Sequence, residues 1–361
     1  MSDITKVPKY VRLAESIRLQ VRTGALKPGD QLPSYAQVQA EYGIGQSTLE
    51  RVYRLLEQES LIVRTPKLGT FVSEPKKRGR ANVIGLIAGE QFTTNPYYSK
   101  MFHGIREVAE SEKVELLILH KESIVNWEKT DGMILWQLPT MKFAPAMPIV
   151  ALMNNIPGIP NVIIDDYAAM KTAIAHLLEL GHRRIAFLTL GVSQDHDEIS
   201  EWRLRGYRDG LREAGIEPAH EWQRPLRELW GLAGNFMDMG YHRMKSWIDE
   251  DWRSQGCTAL LAQNDETAIG AICALHEAGI EVPREVSVMG FDGLDVAAYM
   301  RPRLTTIVIP LHEVGAEATR LLLRRIETDS LETSLCPDDA PSLIMPTTLR
   351  VAESTAPPLG G

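Results

Sequence analysis

Cysteine is scarce in this chain: Cys257, Cys273 and Cys336 are the only three in 361 residues. The number is odd and no two lie close together. Neither a disulfide framework nor zinc-ligand spacing is on offer, and inert packing thiols are expected. No apolar run approaches the roughly eighteen residues a transmembrane helix needs, so no membrane partner is expected. The opening stretch MSDITKVPKY has no apolar segment behind its charges and does not resemble a secretory signal, which gives an expected cytoplasmic location. Catalytic signatures are missing too: G-x-S-x-G, H-E-x-x-H, G-x-x-x-x-G-K-[ST], and a G-x-G-x-x-G after a strand. The nine histidines are scattered. QDHDEIS, Gln194 to Ser200, lacks EF-hand spacing and reads as a solvated loop. No catalytic residue, cofactor or metal site is therefore expected, and the chain is not read as an enzyme.

What is present is an ordinary globular composition, 44% apolar and 24% charged, in a chain long enough for two or three domains. The formal net charge of −8 hides an asymmetry: residues 1–82 hold fourteen Lys and Arg against eight Asp and Glu. A cationic head on an acidic body suits an N-terminal binder of a polyanion.

The head reads as three helices and a hairpin. Tyr10, Leu13, Ile17 and Val21 recur at helical spacing before Gly24. LKPGDQLP is turn chemistry, and Ser34 with Gln37 makes a capping box for a second helix that ends at Gly43. A third helix is expected from about Gln46 to Ser60, burying Leu49, Val52, Leu56 and Tyr53. Ile62–Arg64 and Thr70–Ser73 read as two short strands around TPKLG. SEPKKRGR then reads as a tether.

From Val83 onward, short apolar runs alternate with amphipathic stretches. VIGLIA, VELLILH, GMILW, IVALM, VIID, IAFLTL, ALLAQ and VSVMGF are expected strands. Near-continuous apolar strands separated by helices imply parallel sheets covered on both faces. A single sheet of that size would be very large, so an α/β body of two doubly wound lobes is expected. Ligands in such folds sit beyond the carboxyl ends of the strands.

The quoted motifs carry two resemblances. Y-x-x-L, V-x-x-G-x-L-x-P-G-D-x-L-P-S, YGIGQSTL and G-T-F-V, over about residues 8–73, resemble the GntR family of bacterial regulators. NPYY, DGMIL, IDDYAAMKTAIAHLLELGHRRIAFL, RLRGY, QNDETAIGAICALHEAGIEVPREVSVMGFDG and RPRLTTI resemble the LacI/GalR effector-binding domain, whose fold is that of periplasmic sugar-binding proteins. The resemblances imply a winged helix-turn-helix at 1–74, a linker at 75–82, an effector-binding and dimerisation body at 83–350, and a tail at 351–361. Within the body they imply one lobe at about 83–162 and 293–328, and another at 163–292 and 340–350. In function they imply a transcriptional repressor that binds double-stranded operator DNA as a homodimer and responds to a sugar-like effector. A sensor without DNA, or a purine-like effector, are the alternatives.

DNA-contacting positions by this resemblance are Ser34, Tyr35, Gln46, Ser47, Thr48, Arg51, Lys67 and Gly69. The family usually places arginines at the positions of Ala36, Gln46 and Glu50, which this chain lacks. Gln46 is then the expected base contact, because its amide matches the adenine edge. Effector-contacting positions are Tyr97, Tyr98, Arg203, Phe236, Asp265 and Asp292. Four of them have an alternative: Arg203 as a surface residue, Asp292 as a helix cap, Asp265 as a purely structural acid, Tyr97 as core. Asp165 and Asp166 read evenly as effector contacts or as caps of a helix starting near Ala168. Lys121 to Thr130 is shorter than the corresponding family segment, leaving room only for a short helix such as SIVNWEK.

Overall fold

A computed structural model describes residues 9–22, 25–27, 29–58, 61–65, 68–73, 81–88, 95–119, 129–136, 148–156, 158–191, 198–229, 233–328 and 342–359. Lys67, Cys336, the linker up to Arg80, the SIVNWE stretch and residues 192–197 lie outside them.

The head follows its sequence signals closely. Helices α1 (Lys9–Arg22), α2 (Tyr35–Tyr42) and α3 (Gln46–Gln58) precede a wing of β1 (Ile62–Thr65) and β2 (Gly69–Val72). Helix α2 starts where the Ser34 backbone N–H donates to Gln37 Oε1 at 2.8 Å, and stops at the left-handed Gly43. Leu13, Ile17, Val38, Ile44, Leu49, Val52, Leu56 and Ile62 form one buried cluster. The Tyr53 hydroxyl, at the edge of that cluster, donates to the Pro33 carbonyl at 2.8 Å. The wing strands pair antiparallel, from Ile62 opposite Val72 to Thr65 opposite Gly69.

Among the described residues, the body forms two six-stranded sheets. In the first lobe, β3 (Val83–Ile87), β4 (Glu115–Leu119), β5 (Gly132–Leu135), β6 (Ile149–Leu152), β7 (Asn161–Ile164) and β13 (Ser342–Met345) run parallel in the order β4-β3-β5-β6-β7-β13. In the second lobe, β8 (Ile185–Thr189), β9 (Gln223–Pro225), β10 (Ala259–Ala262), β11 (Ser287–Asp292), β12 (Thr305–Val308) and β14 (Thr348–Arg350) lie in the order β9-β8-β10-β11-β12-β14. Only β14 is antiparallel to its neighbour there. Both sheets are doubly wound, with the strand order reversing beside β3 and β8. The carboxyl ends of β3, β5, β8 and β10 therefore mark where a ligand would sit.

Three crossovers join the lobes, as the resemblance implied, but two fall elsewhere than expected. Residues 293–308 stay with the second lobe, because β12 completes the ladder beside β11 with Met289 opposite Thr305. The chain returns to the first lobe only through α10 (Leu311–Thr328). Ser342–Met345 pairs with β7 and so belongs to the first lobe, not the second.

The stretch read as a tail is also a structural element. Ser354 is fully buried; its hydroxyl accepts from Thr305 N at 2.9 Å and donates to the Val288 carbonyl at 2.6 Å. The buried His182 ring lies 2.9 Å from the Ala356 carbonyl and 2.8 Å from Thr258 Oγ1. Burial lowers the His182 pKa below the ordinary imidazole value, which favours the neutral ring in this network. Residues 351–359 thus strap the second sheet, a role that a polar, unpatterned sequence does not announce.

Within each lobe, glycines let helices touch backbone to backbone. A methyl group on Gly104 of α4 (Pro96–Ser111) would collide with the His312 carbonyl of α10, and one on Gly315 with the Met101 carbonyl. Helices α7 (Phe236–Glu250) and α9 (Asp265–Glu277), separated in the chain by the short α8 (Trp252–Gln255), repeat the device: Gly240 abuts Thr267, and Gly270 abuts Met237. With each lobe packed this closely, movement is expected at the joint between them. Gly104→Ala is expected to cost about 1–3 kcal/mol in urea unfolding, the usual penalty of overpacking. Gly45→Ala, with open space around it, is expected to stay within about 0.5 kcal/mol of the parent.

Candidate functional site

The centre of the body is Arg203, on α6 (Glu198–Glu213). It is 4% exposed, and a guanidinium so buried needs partners on every side. Its Nε donates to Asp166 Oδ1 at 2.7 Å, and its Nη1 donates to the Gln263 carbonyl at 2.7 Å. Its Cζ lies over the Phe291 ring, 3.8 Å from the ring centre. Nη2 points the remaining way, 4.0 Å from Asp292 Oδ1, too far for a direct hydrogen bond. Arg203 is therefore not a surface residue.

Each partner arrives from a strand end. Asp166 opens α5 (Asp166–Glu179) just beyond β7, while Asp165 caps that helix by accepting from Ala168 N at 2.8 Å. The two adjacent acids thus divide the work, and only one is a cap. Gln263 follows β10. Asp292 ends β11 with φ +116°, and Gly293 follows at +74°. A non-glycine residue there is strained, which is the kind of cost that persists where a side chain must be aimed. The Asp292 carboxylate does not cap the short 3-10 turn at Asp295–Ala298, whose N-cap is Leu294 without a side-chain bond. Burial holds the Asp292 carboxyl well above the usual carboxylate range, with Arg203 pulling the other way.

The first lobe faces this charge cluster with aromatic rings. Tyr97 and Tyr98, in the first turn of α4, pack edge to face at 5.2 Å, and Tyr98 meets Trp136 at 4.9 Å. Trp136 directly follows β5, at the point where the strand order reverses. Burial pushes the Tyr97 hydroxyl well above its ordinary value; Asp292 adds to that shift and Arg203 opposes it. Tyr98 is pushed up to about 12, by burial first and then by Asp292 and Glu266. Both phenols thus lie within electrostatic range of the opposite lobe's charges. Two further contacts join the lobes: Asn95 Nδ2 donates to Glu266 Oε2 at 3.2 Å, and Lys100 Nζ pairs with Asp295 Oδ1 at 2.7 Å.

Of the six expected effector residues, the structure gathers Tyr97, Tyr98, Arg203 and Asp292. Phe236 is the first residue of α7 and packs against the second-lobe core. Asp265 is fully buried inside that lobe: Oδ1 accepts from Thr306 Oγ1 at 2.6 Å and Oδ2 from Leu294 N at 2.7 Å. The geometry thus gives Asp265 a structural task. Trp136, Gln263 and Phe291 were not singled out as site residues from sequence, and Asp166 stood even between effector contact and helix cap. Their one legible signal is position, since each stands at or just past a strand end.

The head presents a second surface. Ser34, Tyr35, Gln46, Ser47, Glu50 and Arg51 are exposed, Thr48 is half-buried, and Gly69 opens β2. Arg51 stacks 4.6 Å over the Tyr10 ring and so is anchored to α1.

The model of the periplasmic binding protein-like domain matches residues 174–355, just over half of the chain. The chain belongs to that family. Its head, residues 9–72, matches the bacterial regulatory proteins of the gntR family, and the whole is a DNA-binding transcriptional regulator. The regulator is 25% identical over 362 residues to the arabinose metabolism transcriptional repressor of Geobacillus stearothermophilus, covering 90% of this chain and 93% of that one. It is 25% identical to catabolite control protein A of Priestia megaterium over 71% of this chain and 78% of that protein. Among solved structures, a LacI-family regulator from Sanguibacter keddieii aligns with a TM-score of 0.63 at 27% identity, covering 77% of the regulator and 98% of that chain. A LacI-family regulator from Enterococcus faecium with bound ribose aligns with the same TM-score at 24% identity, covering 76% and 99%, and shares the fold. No described helix of the regulator is long and apolar enough to cross a membrane.

Asp265 gives the second lobe a pH signature. Burial pushes its carboxyl up to about 7, from an ordinary 3.8. The folded chain thus keeps a proton that the unfolded chain releases across that window, so this group's contribution to stability falls as pH rises toward 7. In Asp265→Asn the amide donates to Thr306 Oγ1, which is free to turn and accept. Urea midpoints measured from about pH 4.5 to 7.5 are expected to fall less steeply in the variant than in the parent. Equal slopes would contradict the assignment.

Proposed function

We propose that the regulator is a cytoplasmic repressor whose hold on operator DNA is set by a neutral sugar or polyol bound between its lobes. The arrangement of Arg203, Asp166 and Asp292 opposite Tyr97, Tyr98 and Trp136 is the observation that carries this reading. Hydroxyl-rich ligands need paired donors and acceptors beside a ring on which to stack, and these residues are of those types. Asp166 and Asp292 stand beside one guanidinium, which has already committed Nε and Nη1 to protein acceptors. A phosphorylated or acidic sugar would have to compete with Asp166 for that single guanidinium, so a neutral ligand fits best. The resemblance to repressors of sugar metabolism supports the same class.

In this reading the body binds its effector without consuming it and also forms a homodimer, which sets the spacing of the two heads. Recognition of two half-sites needs that spacing to match the DNA repeat. Ligand shifts the balance only by its preference for one arrangement of the lobes. Gln46 makes the adenine contact, supported by Ser34, Tyr35, Ser47, Thr48, Arg51, Lys67 and Gly69.

Seven tryptophans, one of them at the cleft, make the test direct. Neutral sugars and their acid and phosphate counterparts are titrated against intrinsic fluorescence, followed by operator binding with and without the hit. A neutral sugar is expected to saturate the signal and change operator affinity. Arg203→Ala is expected to weaken it at least about tenfold, as for loss of a charge-assisted hydrogen bond. Saturation by a phosphate or acid alone, or unchanged operator affinity, would contradict the reading.

A further inference from the structure

The exposed face of α3 carries an acid where a DNA-contacting helix would meet a polyanion. Glu50 sits one turn after Gln46 on the same side of the helix, with half of its side chain exposed. An isolated carboxylate there would be repelled by phosphates, but Glu50 is not isolated. Its Oε1 accepts from Arg64 Nη1 at 2.7 Å, and Arg64 Nη2 also reaches the Glu50 carbonyl at 3.4 Å. Arg64 Nε stands 3.5 Å from Glu57 Oε2, and its guanidinium lies 5.8 Å from the Tyr53 ring. An arginine on strand β1 is thereby fixed against α3. It offsets the Glu50 charge and holds that side chain in one orientation.

An exposed ion pair adds little to stability, so orientation is the larger consequence. An ionised carboxylate only accepts hydrogen bonds. In the major groove, guanine and thymine present acceptors to it, adenine presents a donor beside an acceptor, and cytosine presents its N4 amino donor. We propose that Glu50, held by Arg64, is a specificity-determining residue of the head. It accepts a hydrogen bond from a cytosine in the operator half-site and disfavours guanine and thymine there. This inference rests on the reading of the head as a DNA binder.

Selection from random duplex DNA with the full-length chain tests it. The parent is expected to enrich a motif with one fixed cytosine. Glu50→Gln is expected to change that base to adenine, because a glutamine amide pairs with the adenine edge. Glu50→Ala is expected to lose the preference at that position alone, and Arg64→Ala to weaken it. On a duplex with that C·G pair replaced by T·A, the parent binds about tenfold more weakly, while Glu50→Ala binds both duplexes alike. The same motif from parent and Glu50→Ala would overturn the proposal and leave the head a DNA binder. Failure of the parent to enrich any motif would instead overturn the underlying reading of the head, and the proposal with it.

Discussion

A buried guanidinium organises the body of this protein. Removing a positive charge from water is costly unless nearby groups replace the lost solvent. Arg203 meets that need with a carboxylate from the head of α5, a carbonyl beyond β10 and the face of Phe291 on β11. These partners come from separate segments, so one side chain ties together the ends of several strands. The same geometry leaves Nη2 directed toward Asp292 at 4.0 Å. That separation is long for a bond within the protein, and it is the polar opening around which a ligand's hydroxyls are proposed to fit.

The rest of the architecture makes that opening sensitive to movement. Backbone-close helix packing at Gly104, Gly315, Gly240 and Gly270 stiffens each lobe. The strap at residues 351–359 pins the second sheet. Contacts between lobes are of a different kind, such as the Asn95–Glu266 hydrogen bond and the Lys100–Asp295 pair. Polar contacts of this sort exchange more readily than a glycine-packed helix pair. Ligand-dependent change is therefore expected at the joint, with each lobe moving as a body.

Much of this was legible in the sequence because period and punctuation are local. Ser34 with Gln37, Gly43 and the apolar spacing from Leu49 to Leu56 define the head. Runs such as VIGLI and SVMGF define buried parallel strands. Arg203 and Asp292 were reachable through their motifs. Asp166 stayed undecided between contact and cap, since an acid that caps a helix and an acid that pairs with a distant arginine look alike in one dimension. Trp136 was hidden as the last letter of an apolar strand. Asp265 read as a ligand contact because it follows a strand end, yet Thr306 and the Leu294 amide, far along the chain, claim its oxygens. The crossovers were misplaced for the same reason: whether TTIV stays beside SVMGF is decided by ladder pairing, which leaves no local mark.

On this reading the Arg203 cluster is a ligand fork as well as a structural tie. The decisive experiment is a crystal structure of the chain with a neutral sugar that saturates its fluorescence. Ligand oxygens are expected on Arg203 Nη2 and on Asp292, with the ring against Trp136 or Tyr98. A sugar bound elsewhere, with Arg203 still contacting only protein, would contradict it.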